Sequence, residues 1–188
     1  NTLFKNISSL QAGESLVVEK RSATLELNSH FQYFPSTPLP YPESTLIEMF
    51  GEVLDRAFRR VCSLAKGRPI WVPLSGGLDS RLILCKLIEH KYPHVSTFSY
   101  GINRNSDMTR AKQVAKALGV PWLHCPSRVQ QLPTLYQSSI RKAYTDYAWG
   151  AHAVPVWMDF EAIAHLRREN IMTQDSVIVN GYSGDFLF

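Results

Sequence analysis

The residues with the clearest capacity for chemistry form one short run, Ser-Gly-Gly-Leu-Asp-Ser at positions 75–80. Its two glycines carry no Cβ, so the backbone can approach a ligand closely and point its N–H groups at it. The hydroxyls of Ser75 and Ser80 add donors for phosphate oxygens. Asp79 suits an anion site only beside a divalent cation, and a carboxylate among phosphates is a natural Mg²⁺ ligand. The run therefore predicts a site for a magnesium-bound polyphosphate.

A glycine turn without a ligand is the simpler interpretation of any Ser-Gly-Gly sequence. The flanking pattern favours the polyphosphate site, because an apolar strand over residues 69–74 precedes the run and an amphipathic helix over residues 81–91 follows it. Ligands of open parallel sheets bind at the carboxyl ends of strands, where this turn would lie. The Gly-Lys-Ser/Thr ending of a Walker A loop and the Gly-x-Ser-x-Gly of a nucleophile elbow are both absent from the run.

The elements that must position the run alternate along the chain. Further strands are predicted at residues 95–100, 122–125 and 177–180. Helices are predicted at residues 106–118, with Ser106 as N-cap, and at residues 131–147 and 157–169. Strands that alternate with helices indicate right-handed βαβ units. The predicted fold class is therefore α/β, with a doubly wound parallel sheet.

The front of the chain has a different pattern. Alternating runs at residues 15–19 and 23–27 predict two short strands joined by a turn, and residues 35–42 contain four prolines, which predict a linker. A helix is then expected, starting near a capping box of Thr45 and Glu48 and ending at Gly67. The predicted domains are a β remnant over residues 1–34, a Pro-rich linker over residues 35–43 and an α/β domain over residues 44–188.

Composition excludes several classes of protein. The net charge of +4 over 188 residues is too small to argue for nucleic acid, and no apolar stretch approaches the length of about 18 residues that a membrane span needs. The three cysteines, Cys62, Cys85 and Cys125, include no Cys-x-x-Cys pair, which favours a reducing compartment and a cytoplasmic location. They are expected to be small core residues.

The run resembles the pyrophosphate-binding loop of the N-type ATP pyrophosphatases, and the chain is similar to the asparagine synthetase family. Trp-Val-Pro-Leu at 71–74 leads into the loop, and Thr-Phe-Ser-Tyr-Gly at 97–101 resembles the family's second strand. Asp107, Ala111 and the Leu-Gly pair at 118–119 have the spacing of the following helix. Asn-Gly-Tyr-Ser-Gly-Asp at 180–185 resembles a later loop, typically Ser-Gly-Glu-Gly-x-Asp-Glu. Residues 1–34 resemble the last strands of the family's glutaminase domain.

The resemblance implies an ATP-pyrophosphatase fold of the HUP-like type and a ligase that adenylates a carboxylate, releases pyrophosphate and lets a nitrogen nucleophile displace AMP. It implies ATP and Mg²⁺ as cofactors, and a small-molecule carboxylate and glutamine-derived ammonia as substrates. A homodimer of the intact protein is compatible with it. Asp79 and Asp185 would carry the metal. The implied nucleotide-binding residues are Leu74, Ser75, Gly76, Gly77, Asp79, Ser80, Tyr100, Asn180 and Gly181.

Two of these roles have alternatives. Asp185 has the pattern of an Asx turn or a helix N-cap as well as that of a metal ligand. Tyr100 is equally expected as a packed aromatic residue of its strand.

The chain departs from the family pattern at three positions of the later loop. Tyr182 stands in place of the glutamate, Phe186 in place of a second glutamate, and Asn180 in place of serine. No catalytic residue is therefore assigned, and the acceptor remains open between asparagine synthesis, amidation of a sugar or peptide, and lactam closure. Asn1 is not the cysteine nucleophile of a glutaminase. The chain is expected to be the middle part of a longer enzyme. This part alone is not expected to complete a catalytic cycle.

Other residues are given simpler interpretations. His90 and His94 are expected to be loop residues rather than metal ligands, since Pro93 breaks the helix between them. The aromatic residues near Pro155 are expected to pack two helices together, with an acceptor pocket as the alternative; they are Tyr144, Tyr147, Trp149 and Trp157. A tRNA-modifying pyrophosphatase would need basic insertions or Cys-x-x-Cys pairs, and a non-catalytic nucleotide-binding protein is the other alternative.

Overall fold

The computed structural model describes residues 2, 4–31, 39–102, 105–127, 132–150, 155, 157 and 159–182. Within them lie six strands and six helices. The strands are β1 (Glu14–Glu19), β2 (Thr24–Ser29), β3 (Ile70–Pro73), β4 (Val95–Gly101), β5 (Trp122–Pro126) and β6 (Val177–Ile178). The helices are α1 (Glu43–Ala65), α2 (Leu78–Glu89), α3 (Ser106–Ala117), α4 (Leu132–Tyr136), α5 (Ser139–Ala148) and α6 (Phe160–Arg168). None of the described helices has the length and apolar character needed to cross a membrane.

The chain divides into two compact units. The first comprises Asn1–Glu43 and Gln137–Pro155, and the second comprises Ser44–Tyr136 and Val156–Phe188. In the first unit β1 and β2 pair antiparallel, with Glu14 opposite Ser29 and Glu19 opposite Thr24. This pairing confirms the two short strands predicted at the front of the chain. The assignment of residues 1–34 to a glutaminase remnant stays a prediction.

The second unit contains a four-stranded parallel sheet in the order β5-β4-β3-β6. Ile70 of β3 lies opposite Val95 of β4 on one side and opposite Val177 of β6 on the other. The chain builds outwards from β3 through β4 to β5 and then returns to the far side of β3. The strand order therefore reverses between β3 and β6, and ligands of open α/β sheets bind at such a reversal.

Buried side chains cover both faces of this sheet. Alternate residues of a strand point to opposite faces. Ile70, Val72 and Leu74 pack in one apolar cluster with residues of α1, α2 and α3, such as Phe58 and Leu84. Trp71 belongs to a second cluster with residues of β4, β5 and α6, which are Phe98, Cys125, Ala162 and Leu166. Helices on both faces confirm the predicted α/β fold with a doubly wound parallel sheet.

Several helix boundaries differ from those predicted. The helix expected over residues 81–91 begins three residues earlier, at Leu78, with Gly77 as an N-cap that makes no side-chain capping bond. α1 begins at Glu43, so Thr45 lies inside its first turn and the predicted capping box is wrong. Asp79 and Ser80 consequently belong to the first turn of a helix rather than to a turn before it.

Two further predictions are corrected by local capping. Ser106 is not the N-cap of α3, because the Asn105 side chain takes that role and accepts the Met108 N–H at 2.7 Å. The single helix predicted over residues 131–147 is two helices. Ser138 begins the second of these by accepting the Arg141 N–H at 3.2 Å, and an N-cap of this kind starts a new helix.

Gly51 lies within α1 and Gly67 just beyond its end, and replacing each with alanine is predicted to change the stability of the protein in opposite directions. A Cβ at Gly51 would meet no atom within 4 Å, so Gly51→Ala should raise the free energy of unfolding by about 1 kcal/mol through helix propensity. Gly67 has a φ of +78°, where a Cβ is strained, so Gly67→Ala should lower it by about 1 kcal/mol. Urea unfolding of both variants measures the difference. Equal shifts would contradict the assigned end of α1.

A cluster of charges joins α1 to α2. Lys86 donates to Asp55 and lies 2.8 Å from Glu89, and the His90 ring nitrogen Nε2 lies 3.7 Å from Asp55. The hydrogen bond from Lys86 lowers the pKa of Asp55 below its usual value, and the same bond raises the pKa of Lys86. The Asp55 contribution to stability is therefore present above its usual pKa and is lost as the pH falls through the lowered one. The Lys86 contribution is lost only as the pH rises through its raised pKa.

We expect Asp55→Asn to lower the melting temperature at pH 7, because it removes the carboxylate partner of Lys86. The difference from the wild type should shrink between about pH 5 and pH 2, as Asp55 is protonated. Glu52→Gln is the matched control, since it removes the exposed pair of Glu52 with Arg56 and such pairs contribute little. A difference between Asp55→Asn and the wild type that does not change with pH would show that the charge of Asp55 is not what stabilises the contact.

Candidate functional site

A cavity of 360 Å³ opens at the carboxyl ends of the strands, where the strand order reverses. It brings together most of the residues predicted to bind nucleotide, although they come from segments a hundred residues apart. Gly76 and Gly77 of the predicted set are not among the residues that line it. The lining residues are Pro73, Leu74, Ser75, Asp79, Ser80, Ser99, Tyr100, Asp107, Met108, Asn180, Gly181 and Tyr182.

Leu74 is held between neighbouring strands before the loop begins. Its N–H donates to the Phe98 carbonyl at 2.8 Å, and its carbonyl accepts the Ser99 hydroxyl at 2.6 Å. Ser99 in turn accepts the Trp122 indole N–H at 2.9 Å, so the position of Leu74 is set across β4 and β5. The nucleotide-binding role that the resemblance implies for Leu74 stays a prediction. After the bond from Ser99, one lone pair of the Leu74 carbonyl is left to accept a further hydrogen bond.

The two serines of the loop bind each other. Ser80 Oγ accepts the Ser75 N–H at 3.0 Å and lies 2.9 Å from Ser75 Oγ, which accepts the Gly77 N–H at 3.1 Å. Ser80 is only 6% exposed. Because one hydroxyl must donate to the other, the pair keeps a single hydroxyl hydrogen for a ligand. Much of the hydrogen-bonding capacity assigned to phosphate binding therefore shapes the loop itself.

The backbone of Gly76 is bound by a residue of the next helix. Its N–H donates to Asp107 Oδ1 at 2.8 Å, and a Cβ on Gly76 would lie 2.5 Å from that oxygen. A side chain at position 76 would therefore force the Asp107 carboxylate to move. The spacing of Asp107 indicates only a helix, because its contact with Gly76 spans 31 residues and leaves no local signal in the sequence.

Two arginines near the loop were also missed. Arg81 Nε donates to the Gly77 carbonyl at 2.9 Å, and the Cδ atom of Arg110 lies 3.3 Å from the position of a Cβ on Gly76. Arg81 stands four residues after Gly77, which is the spacing of neighbours on a helix face. That spacing was a usable signal for Arg81 once the helix start at Leu78 was known. Arg110 had no such local signal.

The second predicted segment passes directly over the start of α2. A Cβ on Gly181 would lie 2.9 Å from Asp79 Cβ and 3.2 Å from the Ser80 nitrogen. Only a residue without a side chain allows this approach, because the nearest atoms belong to a packed helix turn and cannot move away freely. The loop at residues 75–80 and the pair Asn180 and Gly181 are thus two sides of one site.

Comparison with known protein families decides the affiliation of this chain. The sequence model described as asparagine synthase matches residues 49–188. The chain belongs to the asparagine synthase family. The match confirms the resemblance drawn from the loop sequences, and asparagine synthases are an ATP-dependent synthetase family. Among curated proteins no sequence matches this chain significantly.

In this asparagine synthase family member, Tyr182 takes the position at which the family pattern has glutamate. Its hydroxyl donates to Asp159 Oδ1 at 2.7 Å and lies 3.0 Å from the Tyr100 hydroxyl. Since the Tyr182 hydrogen goes to a carboxylate, Tyr100 is the donor of the second bond. Burial, followed by the bond to Tyr182, raises the pKa of Tyr100, so this phenol keeps its proton.

Asp159 supplies a carboxylate that the sequence analysis did not identify. It is 8% exposed and immediately precedes α6. A buried carboxylate needs hydrogen-bond donors, and Tyr182 provides one. Residue 159 lies inside the helix predicted over residues 157–169, whereas α6 begins only at Phe160, so the sequence carried no signal for this role. The family glutamate is therefore replaced by a phenol that is bound to a carboxylate behind it.

The fit of the site to magnesium rests on its carboxylates. Asp79 and Asp107 both line the cavity, whereas Asp185 lies outside the described residues. No group of three or more His, Cys, Asp and Glu side chains able to hold a metal occurs in the part of the chain that the structure describes. Mg²⁺ keeps most of its waters and is often held by one or two carboxylates and the substrate phosphates. The described residues fit a cation that arrives with a polyphosphate.

The aromatic residues near Pro155 fall into separate contacts. Trp149 lies 5.2 Å from Phe4, between ring centroids, in the first unit. Trp157 packs edge-on against Phe160 at 5.6 Å and lies 6.4 Å from Tyr136 in the second unit. Trp149 and Trp157 are thus packed, but Tyr147 is 90% exposed, so the predicted packing role is wrong for Tyr147. The acceptor pocket considered for this segment stays a prediction.

The hydrogen bonds that link Tyr100 to Tyr182 and Tyr182 to Asp159 are predicted to make the contributions of these side chains to stability depend on one another. Tyr182→Phe removes a donor from a buried carboxylate and should lower the free energy of unfolding by about 1–3 kcal/mol. Tyr147→Phe is the control, because this side chain is 90% exposed and should change stability by less than about 0.5 kcal/mol. Urea unfolding gives both values.

The coupling is measured by adding Asp159→Asn. In the wild type this change weakens the bond with Tyr182, whereas in the Tyr182→Phe background that bond is already gone. The second substitution should therefore cost less in the variant than in the wild type. Additive effects would mean that the two side chains do not interact.

Proposed function

We propose that this chain binds Mg-ATP in the cavity and forms the adenylating part of a carbon–nitrogen ligase. ATP would react with a carboxylate to give an acyl-adenylate and pyrophosphate, and a nitrogen nucleophile would then displace AMP. The observation that supports this most is the close approach of Gly181 to Asp79 and Ser80. It joins the two nucleotide-binding segments of the family pattern into one cavity at the reversal of strand order.

The residues around the loop suit a leaving pyrophosphate. In-line attack on the α-phosphorus requires that the β- and γ-phosphates are held still and that their charge is balanced. The first turn of α2 contributes backbone N–H groups and the positive end of the helix dipole. Arg81 and Arg110 place two positive side chains beside Gly77 and Gly76. Mg²⁺, held by Asp79, would add charge neutralisation when bound.

The wall formed by Tyr100 and Tyr182 lies on the same cavity and is our proposed location for the acceptor carboxylate and the incoming nitrogen. Asparagine formation from glutamine-derived ammonia is the first candidate reaction. The Tyr182–Asp159 contact in place of a glutamate favours, as a second candidate, a relative that amidates a sugar or peptide or closes a lactam ring.

The proposal predicts that the protein binds Mg-ATP and that Asp79→Asn weakens this binding about tenfold or more, because a charged partner of the cation is lost. Asp175→Asn is the matched control. It changes the net charge equally but lies just before β6, at the opposite end of the parallel sheet. Isothermal titration calorimetry with Mg-ATP measures all three proteins.

The reaction is tested with the intact protein, as the wild type and with each of the two substitutions, by pyrophosphate release from ATP with ammonium and a panel of amino acids, sugar acids and peptide carboxylates. Release that depends on one carboxylate identifies the acceptor. Mg-ATP binding without release across the panel would favour a non-catalytic nucleotide-binding protein. Unchanged affinity in Asp79→Asn would show that the metal assignment is wrong, and absence of Mg-ATP binding to the wild type would overturn the proposed function.

A further inference from the structure

Three backbone N–H groups at the start of the loop already have acceptors within the protein. Those of Ser75 and Gly77 donate to the hydroxyl oxygens of Ser80 and Ser75. That of Gly76 donates instead to a carboxylate, Asp107 Oδ1, at 2.8 Å. Two acceptors are therefore neutral and belong to the loop, whereas the third is charged and comes from α3.

The position of the Asp107 oxygen is that of an anion bound to the loop. It lies so close to Gly76 that a Cβ there would be 2.5 Å away, and Asp107 lines the same cavity as Asp79. An N–H group has a single hydrogen, so a phosphate oxygen that binds Gly76 must take the place of the Asp107 oxygen. The carboxylate remains attached to the same helix turn and so stays close to any phosphate that displaces it.

We propose that Asp107 is a specificity-determining residue that makes this loop accept a polyphosphate only together with a divalent cation. This inference rests on the proposed function, which places a polyphosphate at the loop. A polyphosphate without a cation would meet two carboxylates, those of Asp79 and Asp107, and like charges at a few ångströms repel one another. A cation carried by the phosphates removes most of this repulsion.

The charges around Gly76 determine whether loss of the Asp107 charge strengthens or weakens the binding of an anion. Arg110 stands one turn after Asp107 on α3, and Arg81 holds the other side of the loop through Gly77. With Asp107 neutralised, Arg81 and Arg110 stand against the carboxylate of Asp79 among the described residues that contact the loop or line its cavity. The loop should then bind a free anion more tightly.

The test uses inorganic pyrophosphate as the probe, at constant ionic strength, once with EDTA and once with magnesium chloride. Asp107→Asn keeps an oxygen acceptor for the Gly76 N–H but removes the charge. We expect it to raise the affinity for pyrophosphate in EDTA about five- to tenfold, with a change below about twofold in magnesium. Asp175→Asn, the control of equal charge change, should leave both affinities unchanged.

A second variant, Asp107→Ser, guards against a folding defect in the first. Serine is tolerated in a first helix turn and is neutral, so it should give the same gain in EDTA. Circular dichroism verifies the helix content of each protein. If both variants bind pyrophosphate more weakly with and without magnesium, Asp107 only shapes the loop and the inference is wrong, while the polyphosphate site stands. If both variants bind pyrophosphate in EDTA no more tightly than Asp175→Asn does, the inference is also wrong, and the polyphosphate site still stands.

Binding measurements on the wild type distinguish a failure of this inference from a failure of the proposed function. Binding of magnesium pyrophosphate by the wild type, with no gain in the Asp107 variants, counts against the inference alone. If the wild type binds neither magnesium pyrophosphate nor Mg-ATP, the proposed function fails and the inference fails with it.

Discussion

The close approach of Gly181 to the first turn of α2 is the constraint on which the site depends. β3 pairs in parallel with both β4 and β6, so the chain that leaves β6 emerges beside the loop that leaves β3. The space between them holds no side chain at position 181, because the nearest atoms are Asp79 Cβ and the Ser80 nitrogen. Strand order brings the two segments together, and the missing Cβ lets them form one cavity.

The alternation of strands and helices, the loop at residues 75–80 and the place of Asn180 and Gly181 after a strand could all be predicted, because each is a local pattern of apolar spacing and glycine placement. The start of α2 at Leu78 could not, since its N-cap is a glycine without a capping side chain. The contacts of Asp107 with Gly76 and of Asp159 with Tyr182 could not either. They join residues 31 and 23 positions apart and depend on how strands and helices pack.

The residue types of the loop predict that its serine hydroxyls bind phosphate, but in the structure most of their hydrogen bonds are made within the loop. Ser75 and Ser80 bind each other and the backbone, which makes the loop a preformed shape. The capacity to attract an anion therefore falls to the helix N-terminus and to Arg81 and Arg110 rather than to the serine hydroxyls. A preformed loop also lowers the entropy that a ligand would lose in ordering it.

Where the family pattern has glutamate, Tyr182 provides a phenol whose hydroxyl is bound to the carboxylate of Asp159. Asp159 lies behind the phenol and is buried, while the phenol of Tyr182 faces the cavity together with Tyr100. A glutamate at the wall would repel an acceptor that is itself a carboxylate, whereas a phenol presents no charge to it. The buried Asp159 still orders the phenols, since Tyr182 must donate to it and Tyr100 must then donate to Tyr182. The polarity of the wall is thus set by a residue that lies behind it.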